Sequence, residues 1–330
     1  MTTEADVGGV IAAPPRGRLR VSRPLAWAVV APVAFWAVAR LAGLDRGPVI
    51  VELMTATPYV ALVSPFAALA AVAARSRAAV AAAVAAAVLL GCAVLPRAFA
   101  STPTATGPAL RILTVNLFFG NGDAPTVVDL VRRLRPDVLT TQELDPDEVA
   151  ALDAAGIGAL LPYRDVEEGY GPEGSGIFSR HPLTDLPDFA PEGGHHMPAA
   201  KLTLPGGRAV EIVDVHTLAP LGPDVAAWTA DLRSLPAPAA GAVRVLSGDF
   251  NASLDHAALR DVLAKGYADA ADETGNGLLA TWPANKRMPP FITIDHVLVD
   301  RRASAVATSV HAVPGTDHRA LFAELRLPGP

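Results

Sequence analysis

The sequence predicts an α/β layered domain preceded by three membrane-spanning helices, and three observations predict it. Residues 1–100 are dominated by Ala, Val and Leu and hold only four acidic residues. Residues 101–330 hold the other 29 acidic residues and all eight histidines. Within that second part, short apolar runs alternate with patterns of helical period, the signature of strands interleaved with helices.

The apolar part divides into Pro24–Leu44, Val49–Ala74 and Ala78–Leu95. At about 1.5 Å per residue each stretch can cross roughly 30 Å of hydrocarbon. Arg40 lies near the end of the first, where a long side chain can snorkel to the interface. Glu52 begins the second, so Arg40, Asp45, Arg46 and Glu52 are expected at one membrane face, and Pro58 and Pro65 should kink that helix. The Ala-rich third stretch suits close helix packing. Arg16, Arg18, Arg20 and Arg23 precede the first stretch, and Arg75 and Arg77 separate the second from the third. The positive-inside rule therefore places the N-terminus in the cytoplasm and residues 101–330 outside a cell membrane crossed several times. The length of the first run and the two that follow argue against a signal peptide. Ala98-Phe99-Ala100 has the small-x-small form of a cleavage site, a match that Ala-rich sequence produces by chance. The expected division is a cytoplasmic segment at 1–23, the anchor at 24–97, a linker at 98–109 containing the Thr/Pro-rich Ser101–Pro108, and a polar domain at 110–328.

In the polar domain, strands are predicted at Arg111–Leu117, Val138–Thr141, Gly176–Ser179, Ala199–Leu204, Val210–His216, Val243–Ser247, Ile294–Val299, Ala303–Val310 and Leu321–Leu325. Helices are predicted at Ala124–Arg135, ended by Pro136, and at Pro223–Ser234 and Leu254–Leu263. Beyond residue 100 there are 18 basic and 29 acidic residues, a poor default surface for a long polyanion. The single cysteine, Cys92, permits no disulfide within the chain.

Chemistry-bearing side chains follow the apolar runs one after another. Asn116 ends RILTVN, Gln142-Glu143 follows DVLTT, and His216 closes VEIVDVH. Asp249 and Asn251 stand in GDFN, Asp295 in IDHV, and Asp317-His318 in TDHRAL. Together these types suit phosphoester hydrolysis: oxygen donors for a hard cation (Glu143, Asn116), a pair to orient or deprotonate water (Asp249, Asn251), and an imidazole held by a carboxylate (His318, Asp295). His216 offers a second imidazole that stabilises phosphate or protonates the leaving oxygen. His195-His196 invites a metal reading but has no partner at ligand spacing, so both are expected to be solvated. His181, His256, His296 and His311 are assigned to surface or core, and His296 should face away from Asp295 on its strand. Tyr163 is weighed equally as a phosphate contact and as a packed core-edge residue. Gly171–Gly174 lacks a phosphate-loop lysine.

The ordered series TVN, QE, SGIFSR, VHT, GDFN, TW, IDHV and TDHRAL, from about Arg111 to Leu325, resembles the endonuclease/exonuclease/phosphatase superfamily. The resemblance implies a DNase I-like, α+β four-layer sandwich of two mixed β-sheets flanked by helices, and Mg²⁺ or Mn²⁺ as cofactor. It implies metal-site roles for Asn116, Glu143 and Asp317, water and phosphate positioning by Asp249 and Asn251, a His318–Asp295 pair, and His216 on the scissile phosphate. Some nuclease members carry a further acid where this chain has Phe118. The three-helix anchor is similar to that of membrane-bound teicoplanin-resistance proteins, which implies a lipid-linked phosphate or pyrophosphate, such as an undecaprenyl carrier, as substrate. The bilayer is thus one expected partner, and no protein partner is expected. A nuclease acting on DNA or RNA is the alternative; it requires a basic groove from Arg244, Lys286, Arg287, Arg301 and Arg302. A catalytically inactive binding protein is disfavoured, because every principal metal and imidazole position holds a competent residue.

Overall fold

The computed structural model describes residues 22–329 apart from 190, 192 and 239. The N-terminal segment with Arg16, Arg18 and Arg20 lies outside the described residues. The chain opens with α1 (Arg23–Ala42), α2 (Pro48–Met54), α3 (Thr57–Ala73) and α4 (Arg77–Val94), the last ending in a 3-10 turn at Leu95–Ala98. Ser22 and Ser76 accept hydrogen bonds from the first turns of α1 and α4, satisfying backbone donors that a helix start leaves free.

Two helices, Arg23–Ala42 and Arg77–Ala98, are long and apolar enough to cross a membrane. The expected single helix over Val49–Ala74 is broken instead: α2 and α3 meet at 78°, and count as a third span only if taken together. The break falls just before Pro58, which sits in the first turn of α3: its nitrogen carries no hydrogen to donate to the Met54 carbonyl four residues back, so α2 cannot run on through it. Pro65 is accommodated inside α3. Val30, Ala67, Ala71, Ala79 and Ala83 form the buried seam of α1, α3 and α4, where small side chains let backbones approach. Leu25, Phe35, Leu41, Leu62, Phe66 and Leu69 stay exposed on the outer surface of the same helices.

Among the described residues twelve strands follow, in two six-stranded sheets. β1 (Ala109–Asn116), α5 (Ala124–Leu134) and β2 (Val138–Gln142) make a parallel pair with a helical crossover. α6 (Pro146–Ala155), β3 (Tyr163–Glu167) and β4 (Ser175–Ser179) come next. The second sheet takes β5 (Leu183–Phe189), β6 (Met197–Thr203), β7 (Ala209–His216), α7 (Val225–Ser234) and β8 (Val243–Asp249), with β7 and β8 parallel. α8 (Ala257–Ala264), β9 (Tyr267–Asp269), α9 (Ala270–Glu273) and β10 (Asp295–Asp300) complete it, and β11 (Ser304–Ala312) with β12 (Arg319–Arg326) returns to the first sheet. The orders are β11-β12-β1-β2-β4-β3 and β5-β6-β7-β8-β10-β9, so each sheet has a parallel pair at its centre and antiparallel strands outside it.

Period-2 alternation sorts each central strand between two cores. Ile112, Val138, Ile212, Val245 and Val297 fill the space between the sheets. Leu113, Val115 and Leu139 face α5 and α6, while Val213, Leu246 and Leu298 face α7 and α8, which bury Trp228 and Leu259. Burying such a side chain contributes about 1.5–3 kcal/mol, and these clusters hold the α/β/β/α layers together.

The N-terminal apolar helices are packed on this sandwich. Val51 of α2 belongs to the core under α7 and α8, and its carbonyl lies 2.8 Å from Nε2 of the buried His256. Arg97 grips Asp255 through two bonds of 2.7 and 2.8 Å, and Arg40 reaches the same carboxylate at 2.9 Å rather than snorkelling to an interface. Residues 101–108 run along the domain: Ser101 N donates to the Glu273 carbonyl, and Thr104 and Ala105 N donate to Ser304 Oγ.

Candidate active site

The inward face of the central strands changes character along its length. On β1 the inward residues read Leu110, Ile112, Thr114, Asn116; on β2, Val138, Thr140, Gln142; on β7, Val210, Ile212, Asp214, His216; on β8, Val243, Val245, Ser247, Asp249. Each series is apolar at the start of the strand and polar at its C-terminal end. The antiparallel β10 enters at that end with Asp295, and His318 immediately precedes β12. Two sheets packed face to face therefore gather one polar cluster at one edge of an apolar core.

Beneath the cluster the sheets are tied by polar groups. Asp214, fully buried on β7, accepts from the Gln142 side chain and from the amides of Thr141 and Gly176 on the facing sheet. Burial pushes its carboxyl well above the usual range, against those hydrogen bonds. Thr140 Oγ1 and Ser247 Oγ lie 2.9 Å apart across the same gap.

All eight sequence-predicted residues meet at this edge. Asn116 Nδ2 donates to Glu143 Oε1 at 2.9 Å and to Asp249 Oδ2 at 3.1 Å, joining the two sheets. Glu143 Oε2 accepts from Phe119 N at 2.9 Å, and His216 Nε2 lies 3.9 Å from Glu143 Oε1. Asp295 holds His318 Nδ1 at 3.0 Å, leaving Nε2 3.6 Å from Asp249 Oδ2 and 3.8 Å from Asp317 Oδ1. Trp282 Nε1 donates to Asp317 Oδ2 at 3.0 Å. Asn251 N donates to Asp249 Oδ1 at 2.8 Å, and its side-chain amide to the Thr217 carbonyl at 2.9 Å. Glu143, Asn251, Phe118 and Phe119 all have positive φ, between 46° and 54°. Non-glycine residues rarely adopt that conformation, and here it folds the chain back over the strand ends.

The electrostatics follow from burial and proximity. Burial opposes a charge on His318, but the Asp295 and Asp249 carboxylates outweigh it and raise its pKa, so the imidazole stays protonated at neutral pH. Burial raises the Asp249 carboxyl, with the Asp295 charge adding to the rise and His318 opposing it. Glu143 is likewise raised by burial, against its bonds from Asn116 and Phe119. His216 is driven well below its usual value by burial and by the neighbouring His195 and His318, and stays neutral.

His195 is the residue that sequence reasoning set aside. It is 7% exposed rather than solvated, and its ring stacks on His216 with centroids 4.2 Å apart. The antiparallel pairing of β6 with β7, Ala199 opposite Val213, carries the residues before β6 to the end of β7. That register was the available signal. His196 conforms better to the surface reading, 2.6 Å from Glu167 and partly exposed. His296 points away from the cluster, between Asp269 and the Ala252 carbonyl. Tyr163 is 42% exposed on the edge strand β3 and does not line the cavity.

The cluster opens into a cavity of about 580 Å³ walled by Phe118, Phe119, Trp282, Phe291 and, from the N-terminal apolar helices, Val51, Glu52 and Thr55. Among the described residues lining it there are five carboxylates, four histidines and no Lys or Arg. A phosphate entering such a cavity meets net negative charge, so the donor set fits a hard divalent cation that neutralises both. Asp249, Asp295 and His318 place ligand atoms within 4.8 Å of one another and form a possible metal group. Glu143, Asp317 and the Asn116 amide supply further oxygen atoms at the same cavity.

A model of the endonuclease/exonuclease/phosphatase family matches residues 113–318, and the chain belongs to that family. It is accordingly a hydrolase of phosphoester bonds, in a family that typically uses a divalent metal. Solved structures share its fold. A humanized TDP2 from D. rerio is 16% identical, with TM-score 0.53 over 66% of this chain and 98% of that one. An endonuclease/exonuclease/phosphatase protein from Beutenbergia cavernae is 19% identical, with TM-score 0.50 over 67% and 72%. A mannosyl-6-phosphatase from Bacteroides thetaiotaomicron is 16% identical, with TM-score 0.50 over 66% and 99%. No curated protein matches the chain.

Proposed function

We propose that this chain is a membrane-anchored phosphoesterase that hydrolyses a phosphoester or pyrophosphate bond of a lipid-linked substrate, with its site on the outer face of the membrane. The observation that carries the reading is the wall of the cavity: Val51, Glu52 and Thr55, from the apolar N-terminal part, line the same cavity as Glu143, His216, Asp249 and His318. A head group in this site therefore sits against the anchor itself. Orientation follows from the basic residues. Arg40, Tyr59 and Arg97 contact the sandwich, whereas Arg23 and the Arg75/Arg77 turn occupy the other ends of α1, α3 and α4. The positive-inside rule assigns those other ends to the cytoplasm.

In this reading Glu143, Asn116 and Asp317 hold Mg²⁺ or Mn²⁺. The bound ion supplies charge neutralisation at the phosphoryl oxygens. Asp249, with a raised pKa and fixed by Asn116 and Asn251, takes a proton from the attacking water. His318, kept cationic by Asp295, stabilises the charge that develops on the phosphoryl group. Neutral His216 offers an N–H to a phosphoryl oxygen, which favours its stabilising role over protonation of the leaving group.

A nuclease reading finds less support in the charge distribution. Of the five basic residues it requires, Arg244 begins β8 and Arg301-Arg302 follow β10, at the strand ends opposite the cavity, with Arg244 paired with Glu211; Lys286 and Arg287 alone stand on its side, in the loop between Trp282 and Phe291. The test is a substrate panel on the detergent-solubilised full chain: a polyprenyl pyrophosphate, sphingomyelin and DNA, each with Mg²⁺ and with chelator. Metal-dependent turnover of a lipid is the expected result; hydrolysis of DNA alone overturns the lipid reading.

A further inference from the structure

We infer that the hydrocarbon chain of the lipid substrate lies in a second cavity, between α3, α4 and the sandwich, and that this cavity selects substrates by chain length. The inference rests on the lipid reading above and assigns that substrate a binding site for its tail. The second cavity has a volume of about 500 Å³, within the range of about 300–1,000 Å³ of small-molecule sites. On α3 it is lined by Pro58, Leu62 and Pro65, on α4 by Ala87 and Gly91, and on the 3-10 turn that follows by Leu95. Leu278 and Phe291 close it from the sandwich.

Three features point to a tail that belongs to the hydrolysed substrate. First, the two cavities adjoin: Thr55, Phe291 and Ile292 line both. A ligand whose head reaches His318 thus has an apolar continuation within the same molecule. Second, the polarity is divided as in such a ligand, with carboxylates and imidazoles around the head cavity and mainly apolar side chains around the other. The one ion pair at its wall, Arg97–Asp255, is closed on itself by two hydrogen bonds. Third, the cavity opens at the helix surface: Leu62 and Leu95 on its rim are 73% and 62% exposed. On helices that cross a bilayer, that rim faces acyl chains, and a tail enters sideways without passing through water. The 78° break between α2 and α3 creates the junction, since it turns α2 onto the head cavity while α3 continues into the bundle.

Gly91 provides the test. A Cβ built there meets only Leu95 Cδ1, at 3.7 Å, so a larger side chain is tolerated by the helix and occupies the cavity. With full-length protein in detergent, phosphate release would be measured from a long-chain polyprenyl pyrophosphate and from a five-carbon isoprenyl pyrophosphate. The wild type should favour the long chain in kcat/KM. Gly91→Leu and, independently, Leu62→Trp should lower the long-to-short ratio by about tenfold, the worth of roughly two buried methylenes. An unchanged ratio in both variants, or equal loss on both substrates in both, overturns the tail assignment while leaving the lipid reading intact. Failure of the wild type to hydrolyse either pyrophosphate overturns this inference, and the lipid reading falls with it only if sphingomyelin too is left intact.

Discussion

His318 is a buried imidazole between carboxylates, and its protonation is decided by which effect is larger. Desolvation alone would strip the proton, but Asp295 at 3.0 Å and Asp249 at 3.6 Å keep it. Asp295→Asn removes the largest of the three carboxylate charges, Asp295, Asp249 and Asp317, that raise this pKa. The protonated form is then lost at a lower pH, so the alkaline limb of kcat/KM should move toward lower pH; a limb that stays in place removes His318 as the group responsible. Asn116, Glu143, His216, Asp249 and Asn251 were legible in the sequence because each ends or follows an apolar run, whereas Asp295, Asp317 and His318 stand at the start of one and were read from IDHV and TDHRAL. His195 was not, because its proximity to His216 depends on how β6 pairs with β7, and adjacent histidines among glycines look like a surface loop. Asp214 escaped notice for a similar reason: its partners Thr141, Gln142 and Gly176 lie on the other sheet.

Among the elements, the strands buried on both faces were readable as apolar runs, as was the edge strand β11, and the other three edge strands were not. β3, β5 and β9 carry sequences such as YRDVE, LTDLPDF and YAD, since an edge strand has fewer neighbours to bury it. α6 was also missed, although its start has the form of a capping box, with Asp145 accepting from Glu148 N at 2.7 Å. Glu148 is 5% exposed and its Oε1 has no partner. Burial, then the charges of Asp145 and Asp123, raise its pKa from 4.5 to about 8. The folded protein therefore binds this proton more tightly than the unfolded chain, and stability falls as pH rises from about 4.5 through 8. Glu148→Gln should stabilise the protein by about 1–3 kcal/mol above pH 8, with the gain fading toward pH 4.5. Thermal unfolding of both proteins across that range checks it, and a gain independent of pH contradicts it.

For the whole molecule, the N-terminal apolar helices and the hydrolase domain are packed together through buried contacts. The sequence suggested a tether, because Ser101–Pro108 has the composition of a linker and Arg40 the position of a snorkelling residue. Neither sign could reveal Asp255, which lies more than 200 residues beyond Arg40 and has a fully buried side chain. Burial works against the Asp255 carboxylate, but Arg97 and Arg40 outweigh it and hold its pKa down. Asp255→Ala leaves two largely buried guanidinium groups unpaired, at a cost of about 3–5 kcal/mol. Its unfolding transition in detergent should fall accordingly; an unchanged transition would mean that the anchor packs without this contact.

The most direct test of the account is metal-dependent release of phosphate from a polyprenyl pyrophosphate by the full chain, compared with Glu143→Ala, His318→Ala and the double variant. Release should require Mg²⁺, cease with chelator, and fall by about 10²–10⁴ when His318 is removed. A double variant as active as the wild type would contradict the assignment of this cluster as the active site.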